Sequence, residues 1–416
     1  MSDGEKEILT PVAGGGLLSR RLFLSSGAAL AGALAVPVLA AEPWRRMPGT
    51  PPGPYGEQAA HARLRREGIG VHPLGPTAGA SSTPLQALNG TLTPNSLHFE
   101  RHHSGIPDID PARHRLTIHG DVRRALQFSL EDLLAYPLVS RLYFLECSGN
   151  SYRNTLPEAQ DLTAGALNGL LSCAEWTGIP LHVLLEEAGA DPAARWVIAG
   201  GADASGNNRS LPMDLARGDA MVALYQNGEP LRPAQGYPMR LFVPGCEGNL
   251  SIKWLTSLKV QATAAYTREE TSKYTDLLAD GRAEMFSLRM GVKSVITSPS
   301  GTMTLPRRGV FEVSGLAWSG HGSIRAVEVS ADGGRTWADA ELQSEAGPLR
   351  PVRFRIPWRW DGSPALLQSR ATDDRGNVQP TRAAALERYS PAGFYHYNGI
   401  QSWQVAADGR VRNAYA

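Results

Sequence analysis

The last third of the chain consists of short, alternating apolar runs with Gly-rich turns between them. The runs cover residues 310–318, 324–330, 336–342 and 365–373, and Asp332-Gly333-Gly334 is one of the turns. A period of two places every second side chain on one face of a strand, and Asp-Gly and Gly-Gly pairs adopt the conformations of tight turns. The pattern predicts an all-β sandwich of the immunoglobulin type, without the Cys…Trp…Cys signature of antibody domains. We place this domain and a C-terminal tail at residues 291–416.

Residues 96–290 have a different texture, in which short strands mix with helices. Residues 115–119 and 141–146 alternate like strands, 129–134 and 181–188 have helical spacing, and Asn227-Gly228 marks a hairpin. This mixture predicts an α+β domain.

Residues 42–95, which precede the α+β domain, are rich in Pro and Gly. We predict an extended arm that lies on the body of the protein, with a short charged helix near residues 57–67.

The N-terminus carries an export motif. The sequence Ser19-Arg20-Arg21-Leu22-Phe23-Leu24 precedes an uncharged stretch at 25–41 that is rich in Ala and Gly. A membrane anchor is the alternative, but the stretch is short and weakly apolar for a spanning helix. We predict a cleaved twin-arginine signal at residues 1–41 and a periplasmic protein. Because this pathway carries folded proteins, commonly with a cofactor already inserted, it also points to a cofactor.

Composition bounds the possible functions. Of the 416 residues, 42% are hydrophobic and 19% are charged, and the formal net charge is +1. This is enough apolar material for roughly two to three domains, and the charge gives no reason to expect nucleic acid or an anionic membrane as a partner. The only cysteines are Cys147, Cys173 and Cys246, and none belongs to a C-x-x-C pair. The sequence therefore encodes no zinc knuckle, iron–sulfur run or c-type haem attachment.

Cys147 lies where an apolar run stops at a polar turn, in the sequence FLECSGN at 144–150. A strand that delivers a thiol to a Gly/Asn loop can present a thiolate to a metal or an electrophile, while nearby backbone N–H groups hold an anion. A buried structural thiol is the plainer interpretation of this segment alone, because free cysteine is among the most buried residue types. Other segments must decide between the two.

Four segments, taken in order, resemble the sulfite oxidase-type molybdenum enzymes. They are FERHHSGIP at 99–107, LECSGN at 145–150, GYPMRLFVPG at 236–245 and SIKWL at 251–255. The ordered set is far more specific than any one member. Within the sandwich, AWSG at 317–320 and EVSADGGRTW at 328–337 look like the family's dimerisation domain. The resemblance covers nearly everything after Leu97 and implies a molybdopterin-binding α+β domain at 96–290 followed by an immunoglobulin-like dimerisation domain.

By this resemblance Cys147 is the protein ligand of molybdenum, with one molybdenum–molybdopterin per chain. Thiolate sulfur suits such a site. Arg101 takes the position of an arginine that faces the metal-bound oxygens and an anionic substrate, where a guanidinium can hold two oxygens at once. The remaining catalytic positions are Tyr274, Trp176 and Tyr152. The positions implied to contact the cofactor are His102, His103, Ser148, Gln235, Arg240, Ser251 and Lys253. Among these, Arg240 and Lys253 suit the terminal phosphate of the cofactor.

Several of these residues have plainer alternatives. Arg101 could be a surface ion-pair partner, Lys253 could point to solvent from a strand, and a tryptophan such as Trp176 is more often a core residue. The i, i+4 spacing of His98 and His102 is also that of a zinc site, although Gly105 and Pro107 act against the helix that this spacing needs.

Three positions depart from the sulfite oxidases. Tyr152 stands where they carry a second arginine, which weakens a pocket for free sulfite, His102 replaces a usual asparagine and Gln235 replaces a histidine. Together with segments 269–274 and 395–403, these departures make the chain similar to the molybdenum subunit of the Sox sulfur-oxidising system.

That branch of the family implies a reaction and its partners. Oxygen would pass from an oxo-molybdenum centre to sulfane sulfur bound to a cysteine of a small carrier protein. The motif C-x-x-C-H is absent from this chain, which predicts that the chain carries no haem. The electrons would therefore leave through a di-haem c-type cytochrome subunit. The resemblance also implies a heterotetramer built on a homodimer of this chain. Two alternatives remain open: a sulfite dehydrogenase acting on free sulfite and, in another class, a cofactor-free exported binding protein.

Overall fold

A computed structural model of the chain describes residues 11–19, 48, 51–54, 56–68, 75, 77–343, 346–388 and 395–416. These residues form an α+β body followed by a β-sandwich. No helix in this part of the chain is long and apolar enough to cross a membrane. The twin-arginine pair and the apolar stretch after it lie outside the described residues.

The α+β body contains a five-stranded antiparallel sheet that ends at Cys147, here called the cysteine sheet. Its strands are, in spatial order, Glu229–Pro230, Met221–Gln226, Leu171–Pro180 and Val139–Glu146, with Arg240–Phe242 also paired to Met221–Gln226. The turn between the first two strands in this order contains Asn227 and Gly228, as the sequence predicts. The last four residues of Val139–Glu146 are all buried. Both faces of that strand are therefore covered where it reaches the site.

A second five-stranded sheet of mixed direction completes this body. Its order is Asn208–Pro212, Trp196–Gly201, Leu255–Gln261, Leu116–Gly120 and Leu126–Phe128. The helix Leu181–Ala188 packs near it through Leu181, Leu184, Leu185 and Ala188, whose spacing forms one apolar stripe. A small pair, Asp276–Leu277 with Ala283–Glu284, follows.

Helices in the described residues are short. The predicted helices at 129–134 and 181–188 are confirmed, and Ser129 caps the first by accepting a hydrogen bond from the Asp132 N–H. The α-helices are Leu130–Leu134, Ala164–Asn168, Leu181–Ala188, Met213–Arg217, Arg268–Thr271 and Arg382–Arg388. The 3₁₀-helices are Gly14–Gly16, Ala60–Ala62, Leu85–Ala87, Asn95–Leu97, Tyr152–Thr155, Pro233–Gln235 and Gly248–Leu250.

The prediction of a helix near residues 57–67 is wrong. This stretch forms the 3₁₀ turn Ala60–Ala62 and the strand Glu67–Gly68 instead. The Leu64 N–H donates to the Gln58 side chain at 2.9 Å rather than to a helical carbonyl. With few apolar residues, the stretch has no face that packing could stabilise as a helix.

The arm reaches the α+β body through a three-stranded sheet. The strand Gly79–Ser82 lies between Glu67–Gly68 and Glu100–His102. Ala80 pairs with Arg101 in this register. The arm therefore forms part of the backbone support of the segment that carries Arg101.

The C-terminal body is a β-sandwich, as predicted. One sheet consists of Pro11–Ala13, Leu17–Leu18, Lys293–Ser298, Gly309–Trp318, Glu341–Leu342 and Val352–Trp360. The other consists of Ile324–Ser330, Ala338–Asp339, Ala365–Asp373, Ser402–Val405 and Val411–Ala414. Trp358, Phe354 and Trp403 are buried between them. The described N-terminal residues lie at one edge, where Leu17 is buried opposite Trp358.

Candidate active site

Cys147 directly follows the strand Val139–Glu146 and opens a tight turn. Its N–H donates to the Leu170 carbonyl at 3.0 Å, and the Asn150 N–H donates to the Cys147 carbonyl at 2.8 Å. All three cysteines are free, but Cys173 and Cys246 are buried whereas Cys147 is partly exposed to a cavity. Burial raises the pKa of its thiol, against a hydrogen bond from Gly149 and the charge of Arg101. Cys147 is thus a thiol on the wall of a cavity, whereas the other two cysteines are core residues.

The cavity has a volume of about 80 Å³ and is open to solvent at its mouth. It is lined by residues from all four segments that carry the family resemblance. The predicted site residues that line it are Arg101, His102, His103, Cys147, Gln235, Arg240, Ser251, Lys253 and Tyr274. The fold therefore brings together positions that are far apart in sequence.

Three predicted site residues do not line this cavity. Trp176 is fully buried in the cysteine sheet and stacks on Phe242 at 4.4 Å, so it does not stand at the mouth of the site. Tyr152 lies on the helix Tyr152–Thr155 with the Arg153 guanidinium 5.4 Å from its ring. Ser148 is fully buried, and its hydroxyl accepts a hydrogen bond from Asn249 at 3.2 Å.

The cavity also has lining residues that the sequence analysis missed. Asp203 and Asn207 come from the loop between Trp196–Gly201 and Asn208–Pro212, and Asn249 comes from the helix Gly248–Leu250. Glu100 and Trp254 lie within two of the recognised segments. A polar loop directly after a buried strand is the signal that could have drawn attention to Asp203.

Arg240 is a buried cation on the wall of the cavity. Its guanidinium donates to the Ser251 carbonyl at 2.8 Å and to the Gln235 carbonyl at 3.1 Å, and lies 5.2 Å from the Trp176 ring. Burial lowers its pKa to about 9. Its Nε has no hydrogen-bond partner in the described part of the chain. Trp176 therefore acts as a packing surface for this cation.

Lys253 is a half-buried basic residue on the same wall. Its Nζ donates to His102 Nδ1 at 2.9 Å and to the carbonyls of Arg101 and Ala234 at 3.1 and 3.2 Å. Burial, followed by the charge of Arg240, lowers its pKa well below the ordinary value. The sequence alternative of a solvent-facing lysine is wrong. Its hydrogens are used by the protein, and a bound anion nearby would favour its charged form.

Within the described residues, neither Arg240 nor Lys253 forms an ion pair with a carboxylate. Burying charge without an opposite charge is costly. A bound anion with several oxygens would offset this cost and would give the Arg240 Nε an acceptor. The wall therefore fits the terminal phosphate of molybdopterin, and Cys147 on the same cavity offers the sulfur that the metal requires.

Tyr274, His102 and His103 line the same cavity beside this wall. The Tyr274 hydroxyl is 3.4 Å from His103 Nε2. Burial lowers the pKa of His103 to about 4 and that of His102 to about 3, while burial raises the pKa of Tyr274. At neutral pH both imidazoles are uncharged and Tyr274 keeps its proton. The two neutral groups can thus share a hydrogen bond between the phenol oxygen and Nε2.

The alternative zinc site at His98 and His102 is not formed. The segment that holds them continues into the strand Glu100–His102, so the i, i+4 spacing does not bring the imidazoles together. His98 is buried against Phe99 and Trp176. In the residues that the structure covers, no group of three or more His, Cys, Asp or Glu side chains could hold a metal ion.

Two buried glutamates flank Cys147. Glu146 accepts hydrogen bonds from Trp318, Asn150 and Lys293. Glu247, which forms a parallel bridge with Glu146, accepts from Arg209 at 2.8 Å and Asn249 at 2.8 Å. The cysteine turn is therefore held from both sides by fixed carboxylates.

Comparison with known proteins decides the family. A family model for the oxidoreductase molybdopterin binding domain matches residues 103–268, and one for the Mo-co oxidoreductase dimerisation domain matches residues 284–390. The crystal structure of the sulfane dehydrogenase SoxCD from Paracoccus pantotrophus includes a chain that is 43% identical, with a TM-score of 0.88 over 90% of this chain and 97% of that one. The chain belongs to the sulfite oxidase family of molybdenum oxidoreductases.

Curated members of the sulfite oxidase family are more distant. Mitochondrial sulfite oxidases from Mus musculus and Homo sapiens are 30% identical over 74% of this chain and 60% and 61% of theirs. The nitrate reductase of Hordeum vulgare is 30% identical over 74% of this chain and 38% of its own length. The chain thus spans about 60% of the length of the sulfite oxidases that it matches. Family membership confirms the predicted fold and enzyme class and leaves the binding-protein alternative unsupported.

Proposed function

We propose that this protein is the molybdenum subunit of a dehydrogenase that oxidises sulfane sulfur attached to a cysteine of a carrier protein. The observation that carries the proposal is the 43% identity to a sulfane dehydrogenase chain over 97% of that chain's length. The cavity beside Cys147 supports it, because nine predicted site residues meet there.

Cofactor binding is assigned to the cationic wall and the cysteine. Cys147 would hold the metal, while Arg240 and Lys253 would hold the phosphate end of molybdopterin. When bound, this cofactor supplies a two-electron redox centre that exchanges oxygen atoms with sulfur. Gln235 fixes Arg240 through its carbonyl and donates to the Phe99 carbonyl at 2.8 Å, which joins the wall to the Arg101 segment.

Arg101, Tyr274 and His103 are assigned to the substrate side. Arg101 would stabilise negative charge as oxygen atoms are added to the sulfur. Tyr274 would donate a hydrogen bond from its hydroxyl, and neutral His103 would position that hydroxyl through Nε2. Each oxygen atom comes from water, so each addition releases two protons and two electrons.

A carrier-bound substrate is favoured over free sulfite by the composition of the cavity. In this chain Tyr152 stands where sulfite oxidases carry a second arginine, and Tyr152 does not line the cavity. The cationic side chains that do are Arg101, Arg240 and Lys253, and the last two belong to the cofactor wall. A single substrate-side arginine suits a thiol-linked sulfur better than a free dianion.

The electrons require an external acceptor, and we assign this role to a di-haem c-type cytochrome subunit. The support is the similarity to a chain of the SoxCD structure. The matched dimerisation domain at 284–390 supports a homodimer of this chain within a heterotetramer. We further propose export by the twin-arginine pathway to the periplasm, with the motif at residues 19–24 as its support.

The experiment compares two substrates on protein purified with its cofactor. Reduction of a c-type cytochrome is followed with a carrier protein bearing a sulfane sulfur on its cysteine, and with free sulfite. The proposal expects kcat/KM for the loaded carrier to exceed that for sulfite by at least about tenfold, a difference of about 1.4 kcal/mol in barrier. Equal or faster reduction by sulfite without a carrier would overturn it in favour of a sulfite dehydrogenase, the activity named for the mammalian relatives.

A further inference from the structure

Residues 395–416 are here called the C-terminal tail. Its first residues contact the active site, and its later residues form the last two strands of the sandwich. The Tyr395 ring packs on the Tyr274 ring, with 5.3 Å between the ring centroids and 46° between the ring planes. The His396 N–H donates to the Ser148 carbonyl at 2.9 Å. Two consecutive tail residues therefore hold the two loops that present Tyr274 and Cys147.

Tyr274 occupies a conformation that needs such support. Its φ is +41°, in a region that bulky residues rarely adopt, and it lies in an irregular stretch between the helix Arg268–Thr271 and the strand Asp276–Leu277. A conformation of this kind persists only where the surroundings fix it.

A second support lies on the Tyr274 ring. The Arg209 guanidinium is 5.1 Å from the ring centroid, within the range of a cation–π contact. Arg209 is buried and donates to Glu247 at 2.8 Å. On the other side of that carboxylate, His396 Nε2 lies 3.5 Å from Glu247. Glu247 therefore joins the arginine beneath Tyr274 to the tail residue that follows Tyr395.

We propose that Tyr395 is a positioning residue that fixes Tyr274, and that the Arg209–Glu247–His396 chain locks it in place. This inference rests on the proposed function for the role of Tyr274, but the contact itself is testable without any substrate. Tyr395 does not line the cavity, so it acts through Tyr274 rather than on the substrate.

The substrate-independent test is hydrogen exchange in the molybdenum-loaded protein. Tyr395→Ala removes the ring that packs on Tyr274. Exchange of the backbone amides of residues 272–276 should accelerate at least about tenfold while molybdenum content is unchanged. The matched control is Tyr415→Ala in the same tail, because the Tyr415 hydroxyl donates to the Arg153 carbonyl at 3.3 Å, and this variant should leave those amides unchanged. Unchanged exchange in Tyr395→Ala would overturn the proposal.

The functional test is a double-mutant cycle. It uses whichever substrate reduces the c-type cytochrome, the carrier protein bearing a sulfane sulfur or free sulfite. Tyr395→Ala should lower kcat/KM by about three- to tenfold, and this loss should vanish in a Tyr274→Phe background. A loss that persists in full in that background would show that Tyr395 does not act through Tyr274. Failure of both substrates would count against the proposed function and leave hydrogen exchange to decide the contact.

Discussion

The indole nitrogen of Trp318 donates a hydrogen bond of 2.6 Å to Oε2 of Glu146, the residue before Cys147. The other carboxylate oxygen accepts from Lys293 at 3.2 Å. Trp318 and Lys293 belong to the sandwich, so the dimerisation domain contributes directly to the support of the cysteine turn. All three side chains are buried.

This relationship predicts a large effect of Lys293→Met on stability. Removing one partner leaves the buried Glu146 without its cation, which costs about 3–5 kcal/mol. The shift in the midpoint of urea unfolding measures this loss of stability. The double variant Lys293→Met with Glu146→Gln should recover much of the loss.

The control for the Lys293 prediction is an ion pair that is more exposed. Arg370 and Glu328 interact at 2.9 Å with about a third of each side chain exposed. Arg370→Met should cost only about 0–1 kcal/mol. Equal losses for Lys293→Met and Arg370→Met would contradict the structural role given to the buried pair.

Cys147→Ser should remove molybdenum without unfolding the protein. A hydroxyl is a poor substitute for a thiolate ligand, but it fills nearly the same space in the turn. Metal analysis should give less than about a tenth of the wild-type content, with an unchanged circular dichroism spectrum. Cys173→Ser is the matched control, because Cys173 is buried outside the cavity and should keep the metal.

Arg240→Met should lower the content of both molybdenum and pterin. The variant removes the buried guanidinium that we assign to the phosphate, and Met fills much of its volume. Arg353→Met is the comparison, because Arg353 is equally buried and donates to the Gly90 carbonyl at 2.7 Å, outside the cavity. Cofactor loss, per folded molecule, should occur only in the Arg240 variant. Similar loss in both variants would contradict the assignment.

The His396 contact predicts a pH dependence of stability. Burial opposes the charge on His396, but the hydrogen bond and charge of Glu247, with Asp276 and Glu146 nearby, outweigh it and raise its pKa above the ordinary 6.5. Buried Glu247 is kept ionised by Arg209, which holds its pKa at about 2. The stabilisation is therefore complete below pH 6.5 and is lost as the pH rises through the raised pKa of His396.

Thermal unfolding of wild type and His396→Gln tests this pH dependence. The melting temperature of wild type should exceed that of the variant at about pH 6, and the difference should shrink towards about pH 9. A difference that is constant over this range would contradict protonation of His396 as the cause.

Much of the molecule could be predicted from sequence because its signals are local. Period-two alternation with Asp-Gly turns gave the sandwich strands Ile324–Ser330 and Ala365–Asp373 with the observed bounds. The segments around Arg101, Cys147, Arg240 and Lys253 carried the family resemblance, and these residues do line one cavity.

Other features depended on contacts between distant segments. The stretch at 57–67 has helical composition, but no partner surface stabilises a helix there. Trp176 belongs to a recognised position, yet it packs beneath Arg240 because the cysteine sheet turns that face to the core. Nothing in the local sequence of Glu247 indicates a role, and the recognised segment 395–403 does not show that Tyr395 packs on Tyr274.

The sequence by itself determined the family and the two domain types, and it singled out the residues to which we assign the metal and anion chemistry, because each depends on residue types at short, fixed spacing. Only the tertiary structure decided which carboxylates hold the cysteine turn, which buried arginine on the cavity has no carboxylate partner among the described residues, and which tyrosine supports Tyr274. Those facts depend on the mutual burial of groups more than a hundred residues apart, and burial and hydrogen-bond partners are properties of the folded chain.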